Sequence, residues 1–409
     1  MRAWVRVVAV LFVIAYGANQ FSPLMVLYRE QGHFSAVTVA AFFAVYILGL
    51  APGLLLGGPA SDVRGRRWVL LPALVVSVPA SAVLALGGVP GVSEPALFAG
   101  RFLFGAVIGV AMAVGTTWVK ELSQPPWDPG ADAGAGARRA ALALSAGFGG
   151  GPLVAGLLAQ WAPLPMELPY LVHIVITLVA FAAVLGVPET RVTTAPRQRI
   201  RLRVALPARF RWVVAPMAPW VFGGPSISFA VQPAALAHVT GGLGLVFATL
   251  VTVVTLGAGV AVQPWARRLD RRSPSLTARV GLAATVTGVL FAAGSAALGS
   301  VLLAVTASAV LGAAYGLCLV AGLLEVQRMA APEHLGALTA VYYTITYVGF
   351  LFPVVLAALT PMAGYPELLL GPAVLALVSL AVVVRSGRLP AQSGLPEPRR
   401  ARGAAGGSS

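Results

Sequence analysis

Carboxylates are scarce in this chain: 13 Asp and Glu stand against 28 Lys and Arg in 409 residues, and only 10% of positions are charged. All 13 fall in loops or near the ends of apolar runs, so no titrating acid is offered to the middle of a hydrophobic segment, where it would most plainly serve a proton relay. Cysteine is represented by Cys318 alone, which excludes an internal disulfide and a cysteine-based metal site. Lys120 is the sole lysine. The sequence has no metal-binding His pair, nucleophile elbow or phosphate loop, and this argues against an enzyme. The glycine-rich run from Gly130 to Gly136 has no strand before it and is not a nucleotide fingerprint. No metal and no cofactor are expected, and the lack of a large soluble segment disfavours a receptor or scaffold.

Apolar length is what the chain has instead. It is 58% hydrophobic with a mean hydropathy of +0.87. A hydrocarbon core about 30 Å thick takes roughly 20 apolar residues per helix, and lipid supplies no hydrogen bonds to an open backbone. Twelve such stretches are predicted, at 5–27, 35–58, 68–89, 95–118, 140–160, 169–187, 211–235, 241–263, 278–297, 300–324, 337–360 and 367–384. The first begins basic like a signal peptide but lacks a small-residue cleavage site, and is expected to be retained. The expected fold is an all-α polytopic membrane protein of twelve transmembrane helices in two pseudo-symmetric six-helix bundles.

Threading these spans through a bilayer puts 26 of the 28 basic residues on one side; the exceptions are Arg29, in the first opposite-side loop, and Arg101, inside an apolar run. By the bias of Lys and Arg toward short cytoplasmic loops, both termini are expected to be cytoplasmic, in a cell membrane. The net charge of +15 is thereby explained by topology and anionic headgroups, with membrane lipid rather than nucleic acid as the partner. Residues 1–188 are read as an N-terminal bundle, 189–210 as a basic cytoplasmic linker, 211–387 as a second bundle and 388–409 as a disordered tail rich in Pro, Gly, Arg and Ser.

The halves resemble each other. Pro59, Arg66 and Arg67 pair with Pro264, Arg271 and Arg272 at an offset of 205, and Gly105 and Gly109 pair with Gly312 and Gly316 at 207. Such an internal duplication is common among secondary transporters.

Three motifs carry a family resemblance over nearly the whole chain. After the second span, Gly58, Asp62, Gly65, Arg66 and Arg67 resemble the cytoplasmic signature Gly-x-x-x-Asp-x-x-Gly-Arg-Arg/Lys of the major facilitator superfamily. The fourth span carries Arg101-x-x-x-Gly105-x-x-x-Gly109, with Phe104 where that family usually has Gln. The fifth carries Gly147, Gly151, Pro152, Ala155 and Gly156, similar to the Gly-Pro motif of drug/proton antiporters, and Pro188-Glu189-Thr190 also resembles that branch. The resemblance implies export of a small-molecule substrate by alternating access, coupled to proton antiport, by a monomeric carrier. It gives Gly58, Asp62, Gly65, Arg66 and Arg67 to a conformational latch between the halves, to which Glu121 and Glu189 are added from their place at the same face, with ordinary interfacial charge as the alternative for Glu121, and it gives Arg101 to substrate contact or coupling. Alternatives for Arg101 are snorkelling to the interface or holding a helix carbonyl.

Glu121 and Glu325 occupy similar helix ends; pairing with Arg138 or Arg139 is expected for the first and with Arg328 for the second. With no acid in the membrane, His173 or Glu121 is the candidate proton carrier. A substrate site is expected between the halves near the midplane. Residues able to face it are Tyr16, Asn19, Gln20, Tyr46, Trp220, Phe229, Gln232, Tyr315, Tyr342, Tyr343 and Tyr347, a set suited to flat, apolar or cationic molecules. Gly223-Gly224-Pro225 suggests a break in the seventh span. The competing transport reading is an uptake carrier or facilitator for a polar metabolite.

Overall fold

Apolar side chains fill every face of the long helices, so each must be buried against other helices or against lipid. The computed structural model describes residues 2–191, 206–273, 275–330 and 335–386, with the backbone alone at 335–337. The expectations for 192–205 and 387–409, most of the linker and all of the tail, lie outside the described residues. Among the described residues eleven helices are long and apolar enough to cross a membrane, and the apolar helix Leu168–Val184 makes the twelfth.

We label them α1 (Ala3–Glu30), α2 (Ala36–Arg64), α3 (Arg66–Gly88), α4 (Ser93–Leu122), α5 (Ala135–Trp161), α6 (Leu168–Val184), α7 (Phe210–Ala235), α8 (Ala237–Ala261), α9 (Leu276–Leu298), α10 (Val301–Met329), α11 (Leu338–Leu359) and α12 (Tyr365–Ser386). A short amphipathic helix, Gln263–Arg272, lies between α8 and α9. The face bearing the N-terminus, Arg64, Arg66 and Arg67, and this short helix is called the basic face below, and the other the distal face.

The spans match the apolar runs, but several helices run on past them. The helix Ala36–Arg64 has 29 residues, about 43 Å at 1.5 Å per residue, well beyond the hydrocarbon. Its overshoot carries the Gly58–Arg64 signature as helix rather than loop. Local chemistry sets the ends. Ser35 accepts from the Thr38 amide at 3.0 Å and Ser300 from the Leu303 amide at 3.3 Å, satisfying N-terminal donors. Gly299, at φ +61°, closes α9 in the left-handed conformation. The expected break at Gly223-Gly224-Pro225 does not occur: helix Ala215–Ser226 runs through it, with Gly349 of α11 packed against the backbone there, and a π-helical turn follows at Ile227–Val231. The turn in α1 falls at Gln20, between helices Ala3–Asn19 and Phe21–Glu30.

Four of the five buried clusters consist wholly of residues from α7 onward. The largest belongs to α1–α6 except for Phe229, Leu245 and Tyr347, which enter it from the second half. These three mark where the halves touch. Large apolar side chains such as Leu48, Leu142, Val179, Leu302 and Leu377 remain exposed on the outer surface, facing the lipid.

Candidate functional site

Close helix approach prepares the central site. A Cβ on Gly105 would lie 2.0 Å from the Tyr46 carbonyl, so α4 and α2 touch backbone to backbone as no larger residue permits. One turn away, Arg101 is driven into the cleft between α1 and α2 and is only 2% exposed. Its guanidinium donates to the carbonyl oxygens of Ala18 (2.9 Å), Phe42 (3.3 Å) and Phe43 (3.4 Å). It also lies 4.6 Å from the ring centres of Phe21 and Tyr46, a cation–π arrangement. The charge therefore ties α4 to α1 and α2, the carbonyl-holding alternative, and does not snorkel.

Around the turn in α1, polar groups divide into used and unused. Asn19 donates from Nδ2 to the Phe148 carbonyl at 2.8 Å, joining α1 to α5, and its Oδ1 accepts from Ser22. Both amide atoms of Gln20 and the hydroxyl of Tyr16 are buried without a hydrogen-bond partner. His173, fully buried, lies within the first half. Its Nδ1 is 2.7 Å from Ser81 Oγ and its Nε2 is 3.1 Å from the Val13 carbonyl, with the Tyr16 ring stacked on it at 5.9 Å. A neutral imidazole donating from Nε2 and accepting at Nδ1 satisfies both contacts.

Where the halves meet at mid-depth, the wall is aromatic. Phe350 of α11 packs edge-on against Phe43 of α2 at 4.8 Å. Phe222 of α7 stacks on Phe350 at 5.1 Å and on Tyr347 at 4.6 Å, with Tyr315 of α10 beyond at 5.9 Å. The Tyr347 hydroxyl reaches Met112 Sδ of α4 at 3.7 Å. Tyr315 and Tyr347 thus gather as expected, with Tyr343 packed at the edge of the same cluster. Trp220 does not join them and donates to Ser379, while Tyr342 meets the cluster only through the Tyr343 ring at 5.5 Å and donates to the carbonyls of Cys318 and Leu319. Phe222 and Phe350 were not singled out from sequence, because a phenylalanine in an apolar span carries no signal of its own.

The second half holds a polar cluster where the first holds Arg101. Ser308 stands four residues before Gly312 as Arg101 stands four before Gly105, at the same offset of 207. A Cβ on Gly312 would lie 2.1 Å from the Thr255 carbonyl, the counterpart of the α2–α4 contact. Ser308 Oγ is 2.8 Å from Ser228 Oγ and 3.0 Å from Gln232 Nε2, and Ser228 Oγ is 2.7 Å from Thr255 Oγ1. Of these four, only Gln232 is expected as a site residue from the sequence.

At the basic face both expected acids are paired, Glu325 with Arg328 as expected among its partners and Glu121 with a different arginine. Glu121 binds Arg66 at 3.1 Å, which also binds Asp62 at 2.5 Å, and accepts from the Thr190 hydroxyl. Arg138 and Arg139 are taken by Asp132 and Asp128 in the loop before α5. The Arg138 guanidinium and the Gly134 amide hold the Asp132 carboxyl down at about 2. Glu189 accepts from the Arg66 and Arg67 amides at 2.9 and 3.0 Å, capping α3 just after Gly65, whose φ of +103° suits glycine. Gly58 has open space beside it. In the second half, Glu325 binds Arg209 at 2.6 Å and Arg328 at 3.4 Å, and Arg328 also pairs with Asp270. Burial raises the Asp270 carboxyl, against the pull of Arg328. Every one of these ion pairs lies within a half, so among the described residues no ion pair of the signature bridges the halves in this conformation. Their partners depend on how far α2, α4 and α10 overrun the membrane, which apolar length alone does not reveal.

The distal face is where the halves close. The small residues of α5 serve both sides of that contact. Gly147 and Gly151 press on the α1 backbone at Phe12 and Tyr16, next to buried Pro152, while a Cβ on Gly156 would fall 1.7 Å from Thr249 Oγ1 of α8. Gln160 donates to the Gly242 carbonyl at 3.1 Å across the same seam. Above it, a cavity of about 170 Å³ is lined by residues including Met25, Arg29, Glu30, Phe229, Pro353 and Tyr365. Among the described residues, the hydrogen bonds and ring contacts between halves lie at mid-depth or on this distal side.

Comparison with known proteins agrees with this architecture. The solved structure of the nucleoside transporter NupG superposes with a TM-score of 0.72 at 12% identity, covering 95% of this chain and all of that one (100%). A POT family transporter in complex with 5-aminolevulinic acid gives 0.74 at 12%, covering 94% and 96%. A D-xylose-proton symporter gives 0.67 at 15%, covering 93% and 96%. At these identities the likeness is one of fold. No curated protein matches the sequence. The family model described as Major Facilitator Superfamily matches residues 7–353, and the chain therefore belongs to that superfamily of multi-pass membrane transporters.

Proposed function

We propose that the protein exports small amphipathic molecules by alternating access, driven by inward movement of a cation, with the basic face cytoplasmic and the present conformation closed on the outside. The observation that carries this reading is the wall of Phe43, Phe222, Tyr315, Tyr347 and Phe350 at mid-depth between the halves. Among the described residues the one charge at this depth, Arg101, is occupied by carbonyls and ring faces, so the wall offers stacking and cation–π contact rather than an ion pair. The small-residue face of α5, whose Gly156 meets Thr249 across the distal seam, supports a contact that forms and breaks as the halves rock. The resemblance of that motif to drug/proton antiporters supports export and names the proton as coupling ion. His173 and Glu121, the groups available for it, both have their bonds filled in this conformation.

The experiment is accumulation of fluorescent amphipathic cations in pump-deficient bacteria expressing the chain, with and without an ionophore that collapses the driving gradient. Export lowers accumulation, and Phe222→Ala with Phe350→Ala restores it. Equal accumulation in expressing and control cells across a broad dye set would sink the reading. A second reading, uptake of a polar metabolite, is favoured by one observation: the buried, unpartnered amide of Gln20 and hydroxyl of Tyr16, which a polar solute would satisfy. Concentrative uptake of a polar solute that Gln20→Leu abolishes would establish it.

A further inference from the structure

We propose that the cluster of Ser228, Gln232, Thr255 and Ser308 in the second half is a binding site for sodium ion. The inference keeps the transport reading but puts sodium in place of the proton as its coupling cation, and it rests on that reading only for the word coupling.

The first argument is a count of protons. Four short oxygen–oxygen contacts meet here: Thr255 Oγ1 to the Val251 carbonyl (2.7 Å), Ser308 Oγ to the Ala304 carbonyl (2.9 Å), Ser228 Oγ to Thr255 Oγ1 (2.7 Å) and Ser228 Oγ to Ser308 Oγ (2.8 Å). Each hydroxyl carries one proton, so these three side chains supply three protons for four contacts. At least one pair of oxygens therefore faces each other through lone pairs alone. The Gln232 carbonyl oxygen Oε1 adds a further acceptor with no partner, on a side chain 1% exposed. Ser228, Thr255 and Ser308 are fully buried, so bulk water does not relieve the shortage. A site rich in oxygen and short of protons is what a hard cation stabilises, and neutral hydroxyl and carbonyl oxygens suit a monovalent ion better than a divalent one.

The second argument is the internal symmetry. At the matching position the first half holds a permanent positive charge, the Arg101 guanidinium, bonded to three backbone carbonyls. The second half keeps the same glycine seam but has the neutral Ser308 there, so oxygens gather at the matching position with no fixed positive charge beside them. The third argument is location. Ser228 and Gln232 belong to the stretch of α7 whose Phe229, Val231 and Pro233 line the distal cavity, and that stretch contains the π-helical turn Ile227–Val231. π turns are frequent at functional sites, and one helix wall separates cavity from cluster. A carrier that holds an ion beside the moving seam, on groups that do not titrate, needs no membrane carboxylate.

The test uses the purified full-length protein in detergent at constant ionic strength and pH, with choline replaced by sodium or potassium, reading thermal stability and binding of radioactive sodium. Saturable binding of one sodium ion per chain is expected, with a rise in melting temperature that potassium does not reproduce. Ser308→Ala and Thr255→Val each weaken sodium binding at least tenfold, while the lipid-facing control Thr287→Ala leaves it unchanged. If Ser308→Ala fails to fold, Ser228→Ala carries the same expectation. Absence of sodium binding at 100 mM, or binding that survives these substitutions, would overturn the proposal and leave the cluster holding water only. Because binding is measured without transport, a failure here is distinct from a failure of the dye export assay.

Discussion

The α2–α4 junction of the first half and the α8–α10 junction of the second are built on one plan and filled with opposite chemistry. Both bring two helices into backbone contact through glycine, Gly105 against Tyr46 and Gly312 against Thr255. Beyond the glycine, one presents Arg101, whose charge is consumed by carbonyls and aromatic faces, and the other presents Ser308 in a ring of uncharged oxygens. Duplication preserved the scaffold, where any side chain would collide with backbone, and left the neighbouring position free to diverge. The first half is thereby pinned by a fixed charge, and the second is left with acceptors to fill.

The shared scaffold gives the largest expected effect. Gly105→Val and Gly312→Val should each drive a side chain into backbone that cannot yield, at a cost of about 3 kcal/mol or more, and each should abolish a monodisperse peak on size-exclusion chromatography. A folded protein from one and not the other would break the comparison. The charge pairs at the basic face come next. Glu325 is fully buried against Arg209, whereas Glu121 keeps about a third of its side chain exposed against Arg66. Glu325→Gln should cost on the order of 3 kcal/mol, by removing a fully buried carboxylate charge from its bonds to Arg209 and Arg328, and Glu121→Gln about 1 kcal/mol or less, since solvent screens the pair. Thermal melts in detergent separate the two. Smaller, and most informative, is the contrast at the diverged position. Arg101→Lys should lower stability by about 2 kcal/mol, because an ammonium cannot span three carbonyls on two helices, while Ser308→Ala in choline buffer should change it by about 0.6 kcal/mol.

What the sequence made legible follows the same division. The spans were readable because lipid demands long apolar helices, and Arg101 was readable because a charge in such a run stands out. Its partners were not, since backbone carbonyls of Ala18, Phe42 and Phe43 leave no signature. Ser228, Thr255 and Ser308 pass as ordinary small residues; extending the offset of 207 from Gly105 and Gly312 back by four positions picks out Ser308 alone. Of the pairings expected for the acids Glu121 and Glu325, the one with Arg328 is observed, but Arg66 stands where Arg138 or Arg139 was expected. That error came from treating the signature after the second span as a loop, when α2 carries it as helix to Arg64 and places Arg66 beside α4. His173 was chosen as a titrating group from its type and depth, but its bonds to Ser81 and Val13 enclose it in the first half.

The account stands or falls on the distal seam opening during transport. Gly244 and Val26 face each other there, a Cβ on the glycine lying 3.3 Å from Val26 Cγ1. Val26→Cys with Gly244→Cys, in a Cys318→Ala background, should form a disulfide on mild oxidation, stop dye export by reconstituted protein, and regain it on reduction. Full export by the cross-linked protein would contradict alternating access across this seam.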